Sequence, residues 1–175
     1  MADHRRAYED LLRRYLAPLR RLAWSYVADP AGRDDLFQEI AMALWTALPR
    51  FRGESSERTW VYRVAHNTAI SFAANRRRRE DREHSGELER EPIAAANQEG
   101  DAIERQQREQ LWAAVQALPI TERQTIVLHF EGLSAGEIEA ITGVSAGAVA
   151  TRLTRIRQKL AARLRADQRW KEKAL

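Results

Sequence analysis

Near the end of the sequence, Arg152, Arg155, Lys159 and Arg163 recur at steps of three, four and four. That spacing places four cations on one helical face. The opposite face carries Val149, Leu153, Ile156, Leu160 and Leu164, one apolar stripe at helical period. A guanidinium can donate two parallel hydrogen bonds to guanine, and either kind of cation can hold a phosphate. A solvated basic face has the same pattern, so the context must decide. Just upstream, Ser134 and Glu137 form a capping box, Ile138 and Ile141 share one face, Gly143 supplies a helix-closing left-handed residue, and Ser145 caps the basic helix. Two short helices around a turn of about three residues make a helix-turn-helix, which lays its second helix in the major groove of DNA.

A second group of reactive side chains is acidic. Asp34, Asp35 and Glu39 are close enough in sequence to hold a divalent cation, the chemistry of a nuclease or recombinase. No further acidic segment, histidine partner or nucleophile accompanies them, so no catalytic residue, metal or cofactor is expected. The four histidines, His4, His66, His84 and His129, are scattered without ligand spacing, and the absence of cysteine excludes disulfides and thiolate metal sites.

Charge is segregated along the 175 residues. Residues 1–79 carry fifteen arginines against nine acids, residues 80–104 two arginines against nine acids, and residues 105–175 twelve basic residues against seven acids. Two basic bodies flanking an acidic strap suggest a polyanionic partner for both. The start, MADHRRAYEDLL, has no apolar run typical of a signal peptide, and no stretch approaches the roughly 20 apolar residues of a membrane span. A cytoplasmic protein without membrane insertion is expected.

The elements that must position these groups all read as helices. Tyr8, Leu11, Leu12, Tyr15, Leu16, Leu19, Leu22, Ala23 and Tyr26 repeat at helical spacing as far as Asp29-Pro30, with a kink or break expected at Pro18. Asp34 and Asp35 are read as opening a second helix with Leu36, Phe37, Ile40, Ala41, Leu44, Trp45 and Leu48 on its apolar side, ending at Pro49. After a polar loop a third helix runs from about Thr59 to Arg79 and ends in four consecutive arginines. Beyond the strap, one helix carries Leu111, Trp112, Val115 and Leu118, and another is read as starting with a capping box at Thr121 and Gln124. The expected fold is all-α, with two small helical domains joined by an acidic flexible linker. The divisions are residues 1–79, linker 80–104, a helix-turn-helix domain at 105–168, and a tail at 169–175.

Two separated segments, DDLFQEIAMALW with FRGESSERTWVYRVAHNTAI, and ALPITERQTIVLHFEGLSAGEIEAITGVSAGAVATRLTRIRQKL, resemble the two domains of extracytoplasmic-function sigma factors, in the family's order. The resemblance implies a subunit that joins core RNA polymerase, recognises promoter DNA and helps to open it. By that resemblance Asp34, Asp35, Gln38 and Glu39 grip the polymerase. Phe51, Trp60, Arg63, Asn67 and Arg76, Arg77, Arg78 and Arg79 take the unstacked minus-ten element. Ser145, Thr151, Arg152, Thr154, Arg155, Gln158 and Lys159 face the minus-thirty-five element. An anti-sigma factor is a further partner that the family commonly has, and the acidic linker resembles a segment that threads toward the RNA exit path. The chain departs from the pattern in four places: Glu57 stands where an aromatic is usual, Glu139 where a tightly packed alanine is usual, and Ala148 and Ala150 replace a hydroxyl and a commonly basic residue. Those alanines imply weaker or altered upstream recognition. A helix-turn-helix regulator that binds duplex DNA without polymerase is the competing reading, and it has no need of the DDLFQE face.

Overall fold

A computed structural model describes residues 2–27, 29–83 and 102–173, and within these it holds seven α-helices, one short 3₁₀ turn and no strand. Helices α1 (Ala2–Tyr26), α2 (Pro30–Ala47) and α3 (Glu57–Glu83) form the first bundle; α4 (Ala102–Gln116), α5 (Ile120–Phe130), α6 (Ala135–Thr142) and α7 (Ala146–Lys173) form the second. Residues 84–101, most of the acidic strap, lie outside the described residues.

Helix α1 is continuous through Pro18, where a kink or break was expected. Leu11 on one side of the proline and Leu19, Leu22 and Ala23 on the other are all buried, so packing holds the helix across the missing N–H. Helix α2 starts four residues before Asp34. Asp29 caps it by accepting from the Gly32 N–H at 2.6 Å, and Pro30 stands in the first turn, where it is pre-set for a helix. Asp34 and Asp35 therefore sit one turn inside the helix. Helix α5 likewise starts earlier than expected: Pro119 occupies its cap position, its carbonyl accepting from Glu122 and Arg123, and Thr121 lies inside the helix with no capping box. The expected box at Ser134 and Glu137 is present, and Gly143 closes α6 at a φ of 74°.

The first core is built from Leu11, Leu19, Leu22, Leu36, Ile40, Leu44, Val61, Tyr62, Ala65 and Ala69, the second from Val115, Ile126, Leu128, Leu133, Ile138, Val149 and Ile156, all nearly inaccessible. Burying a large aliphatic side chain contributes about 1.5–3 kcal/mol, so bundles this small rest on few such residues. The two bundles also pack on each other, α5 against α1 and α6 against α3. Glu131, just past α5, enters this seam. Its carboxylate accepts from Arg21 Nε at 2.5 Å, Arg21 Nη2 at 2.9 Å and Tyr62 Oη at 3.2 Å, while its carbonyl accepts from Arg58. Trp24 and Trp112 meet edge to face across the same seam, 4.9 Å between ring centroids.

Candidate nucleic-acid interface

In the first bundle the polar loop folds into a cleft. Ser56 caps α3 by accepting from the Thr59 N–H at 3.1 Å, and the loop between the 3₁₀ turn (Leu48–Arg50) and α3 makes a left-handed turn at Gly53. Pro49, Arg50, Phe51, Arg52, Ser55, Trp60 and Arg63 line the resulting opening of about 500 Å³, together with one carboxylate, Glu54, against three arginines. Phe51 and Trp60 stack with centroids 4.9 Å apart and planes tilted by 36°, each half-buried. Arg63 Nη2 donates to Ser55 Oγ at 3.3 Å. An aromatic wall with guanidinium groups at its rim suits an unpaired base and its phosphate.

The cleft continues along α3. Trp60, Arg63 and Asn67 share one face, with Asn67 exposed, and Arg78 lies exposed two turns beyond Ile70. Arg76 is engaged elsewhere, its guanidinium pairing with Asp29 at 2.5 Å. Burial pushes the Asp29 carboxyl up, but the Gly32 N–H and Arg76 outweigh it and hold the group below its ordinary range. Gly32 leaves room for this pair: a Cβ there would meet the Arg76 guanidinium, the Asp29 carboxylate and Val27 Cγ1, and the pair would have to shift. So Arg76 ties α3 to the start of α2. The side chains of Arg77 and Arg79 lie outside the described residues.

On α2, Asp34, Asp35, Gln38 and Glu39 are all exposed, opposite the buried Leu36, Ile40 and Leu44. This polar face runs into an apolar shelf that includes Trp45, which the sequence pattern had placed on the helix's apolar side. Trp45 is 40% and Met42 66% exposed, and with Tyr8, Gln38, Ala41 and Thr46 they line a groove of about 390 Å³. Tyr8 holds Trp45 edge to face at 4.9 Å, and its hydroxyl donates to the Ala41 carbonyl at 3.0 Å.

In the second bundle, Ser145, Thr151, Thr154, Arg155 and Gln158 are exposed along α7. Both threonines donate to carbonyls one turn back, which leaves Arg155 and Gln158 as the long polar groups of this face. Arg155 has no ion pair with any described residue. Arg152 and Lys159 flank the face and tie α7 to α5: Arg152 Nη1 donates to the buried Thr125 hydroxyl at 3.2 Å, and Lys159 Nζ pairs with Glu122 at 2.6 Å. Sequence reasoning missed two groups. Arg157 meets the His129 ring at 2.9 Å, and Glu139, expected to crowd the packing, is exposed and reaches the start of α7. The departure at Glu57 is also accommodated at the surface, where its carboxylate pairs with Arg14 on α1 at 3.0 Å.

Known proteins share this arrangement. The Sigma-70 region 2 family matches residues 11–79 and Sigma-70 region 4 matches residues 108–160. The chain is 30% identical over 164 residues to the ECF RNA polymerase sigma-E factor of Escherichia coli strain K12, spanning 89% of this chain and 85% of that one. It is also 30% identical over 171 residues to the RNA polymerase sigma-H factor of Pseudomonas aeruginosa, with the same coverage. Among solved structures, the sigma factor RpoE in complex with the anti-sigma factor NepR from Bartonella quintana superposes with a TM-score of 0.77 at 24% identity, covering 92% of this chain and 98% of that one. CnrH in complex with the cytosolic domain of CnrY superposes with a TM-score of 0.63 at 26% identity, covering 93% and 90%. With both regions in order on one chain, and near-full-length identity to curated relatives, the chain belongs to the extracytoplasmic-function group of sigma-70 factors.

Proposed function

We propose that this chain joins core RNA polymerase as its promoter-specificity subunit, directs it to promoters through two DNA elements, and assists strand opening without catalysing a reaction itself. The observation that carries this is the exposed face of α2, where Asp34, Asp35, Gln38 and Glu39 adjoin the shelf of Met42 and Trp45. A regulator binding duplex DNA alone has no use for such a surface, whereas a subunit docking on a large enzyme needs one with an apolar centre and a charged rim. The cleft of Phe51, Trp60 and Arg63, with Asn67 and Arg78 further along α3, would take unstacked bases and phosphates of the minus-ten strand. The α7 face would read the minus-thirty-five duplex, with Arg155 and Gln158 reaching bases, and Ser145, Thr151, Arg152, Thr154 and Lys159 setting position. Of the arginine run, Arg77 and Arg79 keep the role that the resemblance implies, while Arg76 supports the fold.

No described helix is long and apolar enough to cross a membrane. We place the activity in the cytoplasm, where polymerase works, with an anti-sigma factor as a restraint, as in the matched complex of RpoE with the anti-sigma factor NepR. The test is reconstitution. Purified chain with core polymerase should give promoter-dependent transcripts, and a variant carrying Asp35→Arg and Gln38→Ala should lose polymerase binding with unchanged helical circular dichroism. A folded variant that still co-purifies with polymerase rejects the α2 face.

A further inference from the structure

The reading helix starts with an anion of its own. Glu139 extends from α6 across the turn, and its Oε2 accepts from the N–H of Ala146, the first residue of α7, at 3.0 Å. Ser145 Oγ accepts from the Ala148 N–H at 3.4 Å, and the Ser145 carbonyl takes the Val149 N–H at 2.9 Å. A helix start carries partial positive charge and uncommitted N–H groups, and it is a common docking point for backbone phosphate. Here a carboxylate already fills part of that place. Glu139 is exposed and forms no ion pair with any described residue, so its charge projects toward whatever approaches the helix end. The residues behind it, Ser145 to Thr151, include no cation to offset it. The first basic residue, Arg152, is half-buried and donates to Thr125.

We propose that Glu139 sets the affinity of the upstream-element interface: it takes the phosphate position at the front of α7 and withholds one backbone contact. This rests on the reading of α7 as the duplex-binding helix. Backbone contacts raise affinity for every sequence alike, whereas base contacts discriminate. Withholding one of the former lowers affinity for matched and unmatched duplex by the same factor, so discrimination stays with Arg155 and Gln158 while binding to every duplex is weakened.

The test uses holoenzyme reconstituted with core polymerase on two duplex fragments, one selected from random sequence by the unaltered holoenzyme and one with its upstream element scrambled. Glu139→Ala should bind both about two- to fivefold more tightly, the range that a charge at a helix end commonly contributes. Its plot of log affinity against log salt should steepen by at most about 0.9, the change expected for removing one negative charge beside the DNA backbone. Glu139→Gln keeps an acceptor for Ala146 without the charge, so it should gain affinity on both fragments with a smaller change in slope; it decides the matter if the alanine variant folds poorly. Unchanged or weaker binding by the folded variants, at an unchanged salt slope, overturns the inference. Arg155→Ala, run alongside, keeps the two claims apart. If it leaves binding to the selected fragment intact, the duplex-reading role of α7 falls; if it weakens that binding while both Glu139 variants change nothing, only the role of Glu139 falls.

Discussion

The cleft of the first bundle and the outer face of α7 solve opposite problems with similar residues. In the cleft, aromatic and cationic groups are held in place before any ligand arrives: Phe51 stacks on Trp60 and Arg63 leans on Ser55. On α7, Arg152 and Lys159 are tied down while Arg155 stays unpaired among the described residues, exposed on a helix whose apolar stripe is buried. An unstacked base has lost its neighbours and must be given new ones, so a pre-formed wall is the useful device. A base edge in an intact groove needs only a donor at the right place, so an exposed side chain on a rigid helix suffices. In the proposed roles, preorganisation is spent where DNA is deformed.

The contrast breaks most visibly at Phe51. Phe51→Ala should weaken open-complex formation by about 1–3 kcal/mol, the cost of one lost base–aromatic stack. A template with a pre-melted bubble should show a similar loss, because the stack is made on the separated strand in both. Unchanged holoenzyme binding to that bubble would mean that Phe51 supports the loop instead of the strand. Arg155→Ala sharpens the other side. It should relax base preference in the upstream element by about 1–3 kcal/mol at one position, whereas Lys159→Ala should weaken all sequences evenly. An unchanged selected-sequence profile for Arg155→Ala would remove it from the reading face.

Between the two regions lies the seam. Elements centred near minus ten and minus thirty-five are separated by about 25 base pairs, or about 85 Å at 3.4 Å per step. A bundle of about 70 residues has a radius of gyration of only about 11 Å, so two bundles in contact cannot reach both elements at once. On the proposed assignment of one element to each bundle, the Glu131 contacts open on the promoter. With Arg21 partly solvated, the pair stabilises the closed form by about 1 kcal/mol at most. Arg21→Ala should enlarge the radius of gyration seen by small-angle scattering and change the fluorescence of Trp24 and Trp112; an unaltered scattering profile would show that the remaining contacts hold the seam unaided.

What could be read in the sequence was whatever lies within a turn or two of the chain. Ser134, Glu137 and Gly143 disclose the helix-turn-helix because caps act over three or four residues, and the stripe on α7 discloses its buried side. Asp29-Pro30 was misread because an aspartate before a proline serves equally to end one helix and to start the next, and Thr121 because Pro119 had already taken the cap position. Trp45 looked like core since periodicity places a residue on an apolar face without saying whether anything covers it. Contacts that cross the fold were not legible at all. Glu131 meets Arg21 across 110 residues, and Glu139 meets Ala146 across a turn whose geometry no local pattern prescribes. The groups missed at the candidate sites are of this kind.

The smallest effect expected concerns pH, and it separates the bundles by their cores. Tyr26 and His66 contact each other inside the first bundle, hydroxyl to Nδ1, and burial holds the His66 imidazole below its ordinary value. The folded chain therefore keeps His66 neutral at a pH where the unfolded chain has already taken up a proton. Stability is set by which state binds more protons, so it should decline as pH falls from about 6.5, the unfolded value, to the lower folded one, and level off beneath it as far as this group is concerned. Asp29 adds its own loss only in the more acidic range below ordinary carboxylate values, because its folded value is depressed. His66→Gln, which keeps a polar partner for Tyr26 and cannot titrate, should flatten the first decline and leave the second. The measurement is thermal unfolding of the full chain between pH 7.5 and about 3, a range that reaches both declines. If both proteins lose stability alike across that range, the proton is taken up elsewhere, and the first bundle has no pH-dependent weakness that the second lacks.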